Sequence, residues 1–259
     1  MEKKKGISGS TLKMIAIVTM LIDHIGAAVL ARLLMVNGLG ELDQTNTDAI
    51  MQWLSANGAL YWMYTVMRMI GRVAFPIFCF LLVEGFLHTH DVKKYAMRLG
   101  LFALLSEIPF DLAFSSKILE FNYQNVFFTL FIGLLTMIAY RAVEEKEEWN
   151  QALKVILYIL IVAAGMALAY FLKTDYAEKG VFCIMVLYIF RKKKMWQIIA
   201  GCASFIWETP ALFGFIPIAF YNETRGWKMK YFFYIFYPAH LLILYLLCYF
   251  MGISGYSAV

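Results

Sequence analysis

Apolar stretches alternate with short polar stretches along the whole chain. Most of them approach the ~20 residues that an α-helix needs to cross the hydrocarbon core of a bilayer. The pattern predicts an all-α fold: a polytopic integral membrane helical bundle of about nine transmembrane helices, forming one domain over residues 1–259. The clear spans are predicted at 11–36, 73–88, 95–114, 124–141, 153–172, 180–190 and 231–251.

Two further segments have a mixed pattern. Segment 195–222 is interrupted by two prolines, which indicates two short or broken helices. Segment 57–72 is aromatic and contains two arginines, so we expect an interfacial helix or a bent extension of the second span. A single pass between 57 and 88 fits the predicted topology.

Charged loops predict the orientation. The clusters "EKKK", "DVKK", "RKKK" and "RGWKMK" are expected on the cytoplasmic side, as is the N-terminus. The loop 37–57 has three acidic residues and no Lys or Arg, so it is expected outside. The first apolar run is longer than the core of a signal peptide and contains an acid, which favours an uncleaved span.

Composition excludes several classes of function. Hydrophobic residues make up 62% of the chain, and the net charge of +5 reports topology rather than a nucleic-acid partner. The four cysteines stand in apolar runs without a CxxC pair, and the histidines lack metal-ligand spacing, so neither disulfides nor a metal site is expected. No motif of a soluble enzyme is found.

The first span contains two polar residues, Asp23 and His24, near its middle. Charged groups at that depth are costly and usually functional. If the helix starts near Thr11, His24 lies roughly 20 Å from its cytoplasmic end. Lys13 stands eleven residues before His24, about three helical turns, so the two side chains share one face.

Other polar residues also stand in apolar surroundings, where they are expected to pair or to line a cavity inside the bundle. Structural explanations remain open: an ion-pair network for the acids of "SEIPFD", a core role for the last histidine, and solvation for His88 and His90. The set consists of Arg68, Arg72, Glu84, Glu107, Asp111, Asn125, Asp175, Tyr176 and His240.

Seven blocks of the chain follow in order the signature blocks of the TraX family, which the chain therefore resembles. They are "LKMIAIVTMLIDHIGA", "IGRVAFPIFCFLLVEGFLHT", "RLGLFALLSEIPFDLAF", "NVFFTL", "TDYAEKGVFCIM", "FYNETRG" and "FYIFYPAHLLILYL". The name-giving member of that family acetylates the N-terminus of F-type pilin. Ala177 departs from the pattern, in which glycine is expected after Asp-Tyr.

The TraX family is similar to a wider group of transmembrane acyltransferases, including acyltransferase-3 and heparan glucosaminide N-acetyltransferase. In acyltransferase-3 proteins a basic residue and a histidine stand in the first helix with ten residues between them. Lys13 and His24 have that spacing, although Lys replaces the more usual Arg.

The resemblance implies an acetyl-CoA-dependent acyltransferase in the bacterial cytoplasmic membrane. It implies that His24 is the general base, that Asp23 and Glu107 are orienting or structural groups, and that Asn125 or Arg72 donates to the thioester oxyanion. Lys13, with Arg68 and Arg72, is expected to bind acetyl-CoA, whereas the other polar residues line the cavity. No metal is expected.

Two rival functions remain from the residues themselves. Buried acids, an imidazole and Pro-broken helices also mark transporters and proton-coupled channels, and a non-enzymatic membrane assembly factor is a further alternative. Within the enzyme class the acceptor, an amine or hydroxyl of a membrane or envelope peptide, pilin-like N-terminus, glycan or lipid, is not specified by the sequence.

Overall fold

The computed structural model describes residues 5–227 and 230–257. Its first helix, α1, spans Gly9–Val36 and begins at a serine cap, because Ser8 Oγ accepts a hydrogen bond from the Thr11 backbone N–H at 3.2 Å. The helix is α-helical over Gly9–His24, π-helical over Ile25–Leu30, and α-helical again to its end. The predicted span 11–36 is confirmed.

The polar loop predicted at residues 37–57 is shorter in the structure. Helix α2 (Thr47–Gly71) starts inside the segment 37–57, because Asn46 Oδ1 caps it by accepting from the Ala49 N–H at 3.1 Å. Helix α3 (Ala74–His88) follows after two residues. Segment 57–72 is thus part of a long helix that leads into the second span, as the bent-extension interpretation predicted.

The remaining helices agree with the apolar pattern to within a few residues. The proline-containing segment is broken, as predicted, into a helix, a 3₁₀ turn at Thr209–Gly214 and a short second helix. The helices are α4 (Val92–Ser115), α5 (Val126–Glu144), α6 (Gln151–Phe171), α7 (Ala177–Ile189), α8 (Lys194–Ser204), α9 (Phe215–Ala219) and α10 (Lys230–Phe250).

Five helical stretches among the described residues are long and apolar enough to cross a membrane. An all-α membrane bundle is therefore confirmed as the fold class, whereas the predicted count of about nine spans stays a prediction. The five stretches are Gly9–Val36, Thr47–His88, Val126–Glu144, Gln151–Phe171 and Phe232–Phe250.

The core of the bundle is formed where α3 packs against α5 and α7. Ile77, Leu134 and Ile184 are fully buried there. Gly133 on α5 permits this close packing, since a Cβ at that position would overlap the Ile184 side chain at 2.5 Å. A second apolar cluster is formed by residues of α1, α4 and α10 and includes α1 residues on both sides of His24 in the sequence.

Two isolated backbone bridges hold loop segments against the ends of this bundle. Ile7 pairs with Tyr221, which places the start of α1 against the loop before α10. Gln124 pairs with Thr174, which places the segment before α5 against the segment before α7. These contacts bring together segments that are far apart in the sequence.

Candidate functional site

His24 is the last α-helical residue of α1 before the helix widens into a π-helix. Such π-helical turns are frequent at functional sites because they turn a side chain out of the regular register. The His24 side chain is half-buried and lines a cavity, so it is reachable from the interior of the bundle.

His24 contacts His240 on α10. The two nitrogens His24 Nδ1 and His240 Nε2 are 2.6 Å apart, a hydrogen-bond distance. The ring planes differ by 2° and the ring centroids are 4.9 Å apart, so the imidazoles lie edge to edge in one plane. The other nitrogen of His240, Nδ1, lies 2.8 Å from the Phe236 carbonyl oxygen.

Aromatic side chains enclose the two imidazoles. Phe114 and Tyr237 meet the His24 ring edge-on, with centroids 5.5 and 5.9 Å away. Phe236 lies nearly parallel to His240 at 4.8 Å. His240 is only 5% exposed and lines neither of the two cavities described below, so the cavity-lining role predicted for it is wrong.

Asp23 bonds to α2 and not to His24. Its Oδ2 accepts a hydrogen bond from Arg68 Nη1 at 2.7 Å, while Oδ1 is buried without a partner among the described residues. Gly71 permits this approach, because a Cβ there would overlap the Asp23 side chain. The neighbour that Asp23 contacts is thus Arg68, and its orienting role stays a prediction.

A small cavity of about 110 Å³ opens beside His24. Its polar walls carry Asp23 and Arg68, and also Arg72, whose Nε is 3.0 Å from Glu208 Oε1. Asp175 lines it as well and accepts a hydrogen bond from Tyr123 at 2.8 Å. The predicted polar-lined cavity is therefore present, with charges that are paired.

A large cavity of about 640 Å³ lies beside the first half of α1. Three basic residues, Lys13, Arg98 and Arg225, and two acids, Glu84 and Glu223, contribute charged groups to its wall. Arg225 reaches this place because the backbone N–H groups of Gly9 and Ser10 donate to carbonyls of the loop before α10. Much of the remaining wall is apolar, including Ile17, Leu81, Leu82 and Phe233.

Three residues separate the two cavities and line both of them: Met20, Phe78 and Val126. We call these three residues the collar. On α1, Lys13 faces the large cavity, Met20 faces both, and His24 faces the small one. The predicted shared face of Lys13 and His24 therefore runs along both cavities, with Met20 between them.

The structure divides the predicted acetyl-CoA-binding group. Arg68 and Arg72 line the small cavity, whereas Lys13 lines the large one. This division could not be predicted from the sequence. It arises because α2 packs beside α1, which places the α2 arginines next to Asp23 and His24.

Asn125 is not available as an oxyanion donor. Its Oδ1 caps α5 by accepting from the Phe127 N–H at 3.0 Å, and its Nδ2 donates to the Ala103 carbonyl at 2.8 Å and to Glu107. Both amide hydrogens are thus used, and the residue is fully buried outside the two cavities. The alternative donor, Arg72, does line the small cavity.

Glu107 and Asp111 are structural in this arrangement. Glu107 accepts from the Asn125 side chain, and Asp111 accepts from the Glu120 backbone N–H at 2.8 Å. Neither lines a cavity, which contradicts the cavity-lining prediction, and neither forms an ion pair with Arg68 or Arg72 among the described residues. The structural role that the resemblance implies for Glu107 agrees with its contacts. Their partners are backbone and amide groups of the loop before α5.

Within the residues described, no group of three or more His, Cys, Asp or Glu side chains is placed to hold a metal ion.

Comparison with known proteins identifies the family. Residues 8–248 match the family described as TraX protein, which is nearly the whole chain. The chain belongs to the TraX family. A relative named "Probable fimbrial assembly protein FimC, serogroup H1", from Dichelobacter nodosus, is 26% identical over 208 residues, which are 71% of this chain and 83% of the relative. No solved structure gives a significant match.

The one departure from the TraX pattern lies at the rim of the small cavity. Ala177 has a φ of 42° and Tyr176 a φ of 63°, both in the left-handed region that favours glycine. The glycine that the resemblance predicts at 177 would adopt this turn without a Cβ clash. The turn is nevertheless formed here, and Tyr176 stacks on Phe75 with centroids 3.7 Å apart.

Sequence reasoning missed three arginines of this TraX family member. Arg98 and Arg225 join Lys13 in the large cavity. Arg32 is fully buried and donates to the carbonyls of Ala28 and Ala113 at 2.8 and 2.6 Å. Arg32 stands eight residues after His24 in an apolar run, so its depth was a signal that could have been used.

Proposed function

We propose that this membrane protein is an acyltransferase that uses acetyl-CoA and transfers the acetyl group to an amine or hydroxyl of an envelope acceptor. The observation that carries the proposal is the single face of α1 that runs from Lys13 in the large cavity to His24 in the small one. A basic cavity suits an anionic donor, and a histidine beside a polar chamber suits proton removal.

The large cavity fits the chemistry of the donor. Coenzyme A combines phosphate groups with a long, less polar arm, and the cavity combines apolar walls with the cations Lys13, Arg98 and Arg225, which outnumber its two acids, Glu84 and Glu223. Its volume of about 640 Å³ lies within the usual range for ligand sites, ~300–1,000 Å³. We place the nucleotide end at these cations and the thioester toward the collar.

The small cavity fits the acceptor and the chemical step. His24 takes the proton from the acceptor amine or hydroxyl as the acceptor bonds to the carbonyl carbon of the thioester. The carbon–sulfur bond then breaks, and His24 returns the proton to the thiolate. Arg72 and Arg68 are each paired with a carboxylate, Glu208 and Asp23, and what they offer the oxygen on which negative charge develops is their remaining N–H donors. Fixed donors of this kind are most effective in a site without bulk water.

The relative's name favours an acceptor in a surface fibre. The D. nodosus protein is named as a probable fimbrial assembly protein. The chain belongs to the TraX family, and the resemblance to that family implies acetylation of a pilin N-terminus. We therefore propose that the acceptor is a pilin-like subunit held in the bacterial cytoplasmic membrane, and that modification takes place before the subunit enters the fibre.

The proposal is tested with purified protein in lipid nanodiscs. Radiolabelled acetyl-CoA is supplied together with membranes from a strain that lacks the protein, and label transfer is followed into peptides, glycans and lipids. We expect transfer with the native protein and none with His24→Ala, although His24→Ala keeps its thermal stability and still binds acetyl-CoA.

A transporter would behave differently in the same preparation. If proteoliposomes take up or release a solute with His24→Ala as well as with the native protein, and no thioester is consumed, the acyltransferase proposal is wrong. Mass spectrometry of envelope fractions with and without the protein identifies the acceptor, since an acetyl group changes the mass of the modified molecule.

A further inference from the structure

The pair His24 and His240 is held by a chain of three polar groups. The Phe236 carbonyl oxygen lies 2.8 Å from His240 Nδ1, and His240 Nε2 lies 2.6 Å from His24 Nδ1. No further hydrogen bond is formed by His24 Nε2 with any part of the chain that the structure describes. This series of hydrogen bonds therefore ends at His24, whose Nε2 has no hydrogen-bond partner among the described residues.

The carbonyl oxygen decides where the hydrogens lie. A carbonyl can only accept, so His240 Nδ1 must carry its hydrogen. In a neutral imidazole the other nitrogen is then an acceptor, so His240 Nε2 accepts from His24 Nδ1–H. As a result His24 carries its hydrogen on Nδ1, and its lone pair is on Nε2.

The surroundings keep this arrangement in place. His240 is buried among Phe236, Tyr237 and the His24 ring, and no carboxylate or cation forms a hydrogen bond or ion pair with it in the described residues. The Phe236 carbonyl stands four residues before His240 in α10, which is the place of the regular helical acceptor for the His240 backbone N–H. A carbonyl oxygen has two lone pairs, so it can also accept from His240 Nδ1–H.

We propose that His240 is a positioning residue that fixes the tautomer and ring orientation of His24. This inference rests on the proposed function of His24 as a base. The consequence is that the acceptor's proton is taken by His24 Nε2, and the resulting imidazolium keeps its Nδ1–H bonded to His240. The proton transfer requires no protein group other than the Phe236 carbonyl, His240 and His24, because the same Nε2 returns the proton to the leaving thiolate.

Histidine tautomers can be measured directly. The chain has four histidines, so ¹⁵N-histidine labelling of the full protein in nanodiscs gives a sparse spectrum. His24→Asn and His240→Gln assign the two buried signals. We expect the native His24 to be protonated at Nδ1 and unprotonated at Nε2, and the opposite tautomer would overturn the inference.

Two substitutions at 240 separate positioning from packing. Gln can place an amide oxygen near the position of the imidazole Nε2, whereas Leu has a similar size and no acceptor. We expect His240→Leu to lower kcat at least tenfold with KM for acetyl-CoA within twofold, and to give a mixture of His24 tautomers. His240→Gln should restore most of kcat and the Nδ1–H tautomer.

The results distinguish this inference from the proposed function. If the native protein transfers no acetyl group, the proposed function fails, whereas the tautomer measurement still decides the role of His240. If transfer takes place and His240→Leu keeps kcat within twofold of native, with folding intact by thermal unfolding, His240 does not position His24. Equal loss of kcat in the Leu and Gln variants would also contradict the inference.

Discussion

Asp23 and Arg68 form an ion pair between α1 and α2, with 2.7 Å between Oδ2 and Nη1 and exposed fractions of only 14% and 26% for the two side chains. The pair lies one residue before His24, so it also fixes the rotation of α1 at the site. A buried pair that loses one partner leaves an uncompensated charge, which is the costly case.

Asp23→Ala should therefore destabilise the protein by about 2–4 kcal/mol, because Arg68 loses its partner in a mostly buried position. The measurement is unfolding by denaturant in mixed micelles. Asp48→Ala, in the exposed first turn of α2, is the matched control and should cost under ~1 kcal/mol. Equal losses in the two variants would show that the ion pair contributes little.

The glycines of α2 offer a second matched comparison. Gly71→Ala places a Cβ on the Asp23 side chain, so the ion pair must separate and activity should fall together with stability. Gly58→Ala meets no atom within 4 Å and should stabilise the helix by about 0.5–1 kcal/mol. A stable and active Gly71→Ala would mean that α2 can move away from α1 without consequence.

Lys13 is expected to act on donor binding and not on the chemical step. Lys13→Ala should raise KM for acetyl-CoA about tenfold, a loss of ~1.4 kcal/mol, with kcat nearly unchanged. Lys117→Ala removes a lysine whose partner is Glu120 and which lies outside both cavities, so it serves as the control. A fall in kcat with unchanged KM would place the nucleotide end elsewhere.

The collar is expected to keep water from the thioester. Met20→Ala removes a side chain that lines both cavities, so acetyl-CoA hydrolysis without acceptor should increase relative to transfer. Met137→Ala truncates a fully buried methionine in the other cluster and controls for lost stability. If both variants hydrolyse acetyl-CoA equally, the collar has no such role.

Arg32 is expected to contribute to stability. Its Nε donates to the Tyr256 carbonyl at 2.8 Å and its Nη2 to Ser116 Oγ at 2.9 Å, which ties the C-terminal segment to α1 and α4. Arg32→Met leaves several buried acceptors unsatisfied and should cost about 2–4 kcal/mol in thermal unfolding. Arg141→Met, whose partner Glu145 is exposed, should cost less than about 1 kcal/mol.

The sequence predicted the helices well because each depends on local properties. A run of apolar residues with a cap such as Ser8 or Asn46 specifies a helix wherever it lies in the fold. The shared face of Lys13 and His24 was predicted for the same reason, since helical spacing alone sets it. Family membership was also predicted, because the signature blocks are linear motifs.

The partners of the polar residues could not be predicted, since each pair joins segments that are far apart in the chain. His24 bonds to a histidine more than two hundred residues later, and Asp23 to an arginine on the next helix. The predicted role of Asn125 as an oxyanion donor was wrong, because an asparagine can serve either as a helix cap or as such a donor, and the residue type alone does not distinguish the two. The same set of charged residues could form several different ion pairs, and the sequence does not distinguish among them.

The amino-acid sequence by itself thus determined a helical membrane protein of the TraX family with a polar stripe in its first span. Tertiary structure alone decided that this stripe lines two cavities, that the arginines divide between them, and that His240 forms a hydrogen bond with His24. The physical reason is that helix formation and bilayer depth follow from nearby residues, whereas hydrogen-bond partners follow from which helices pack together.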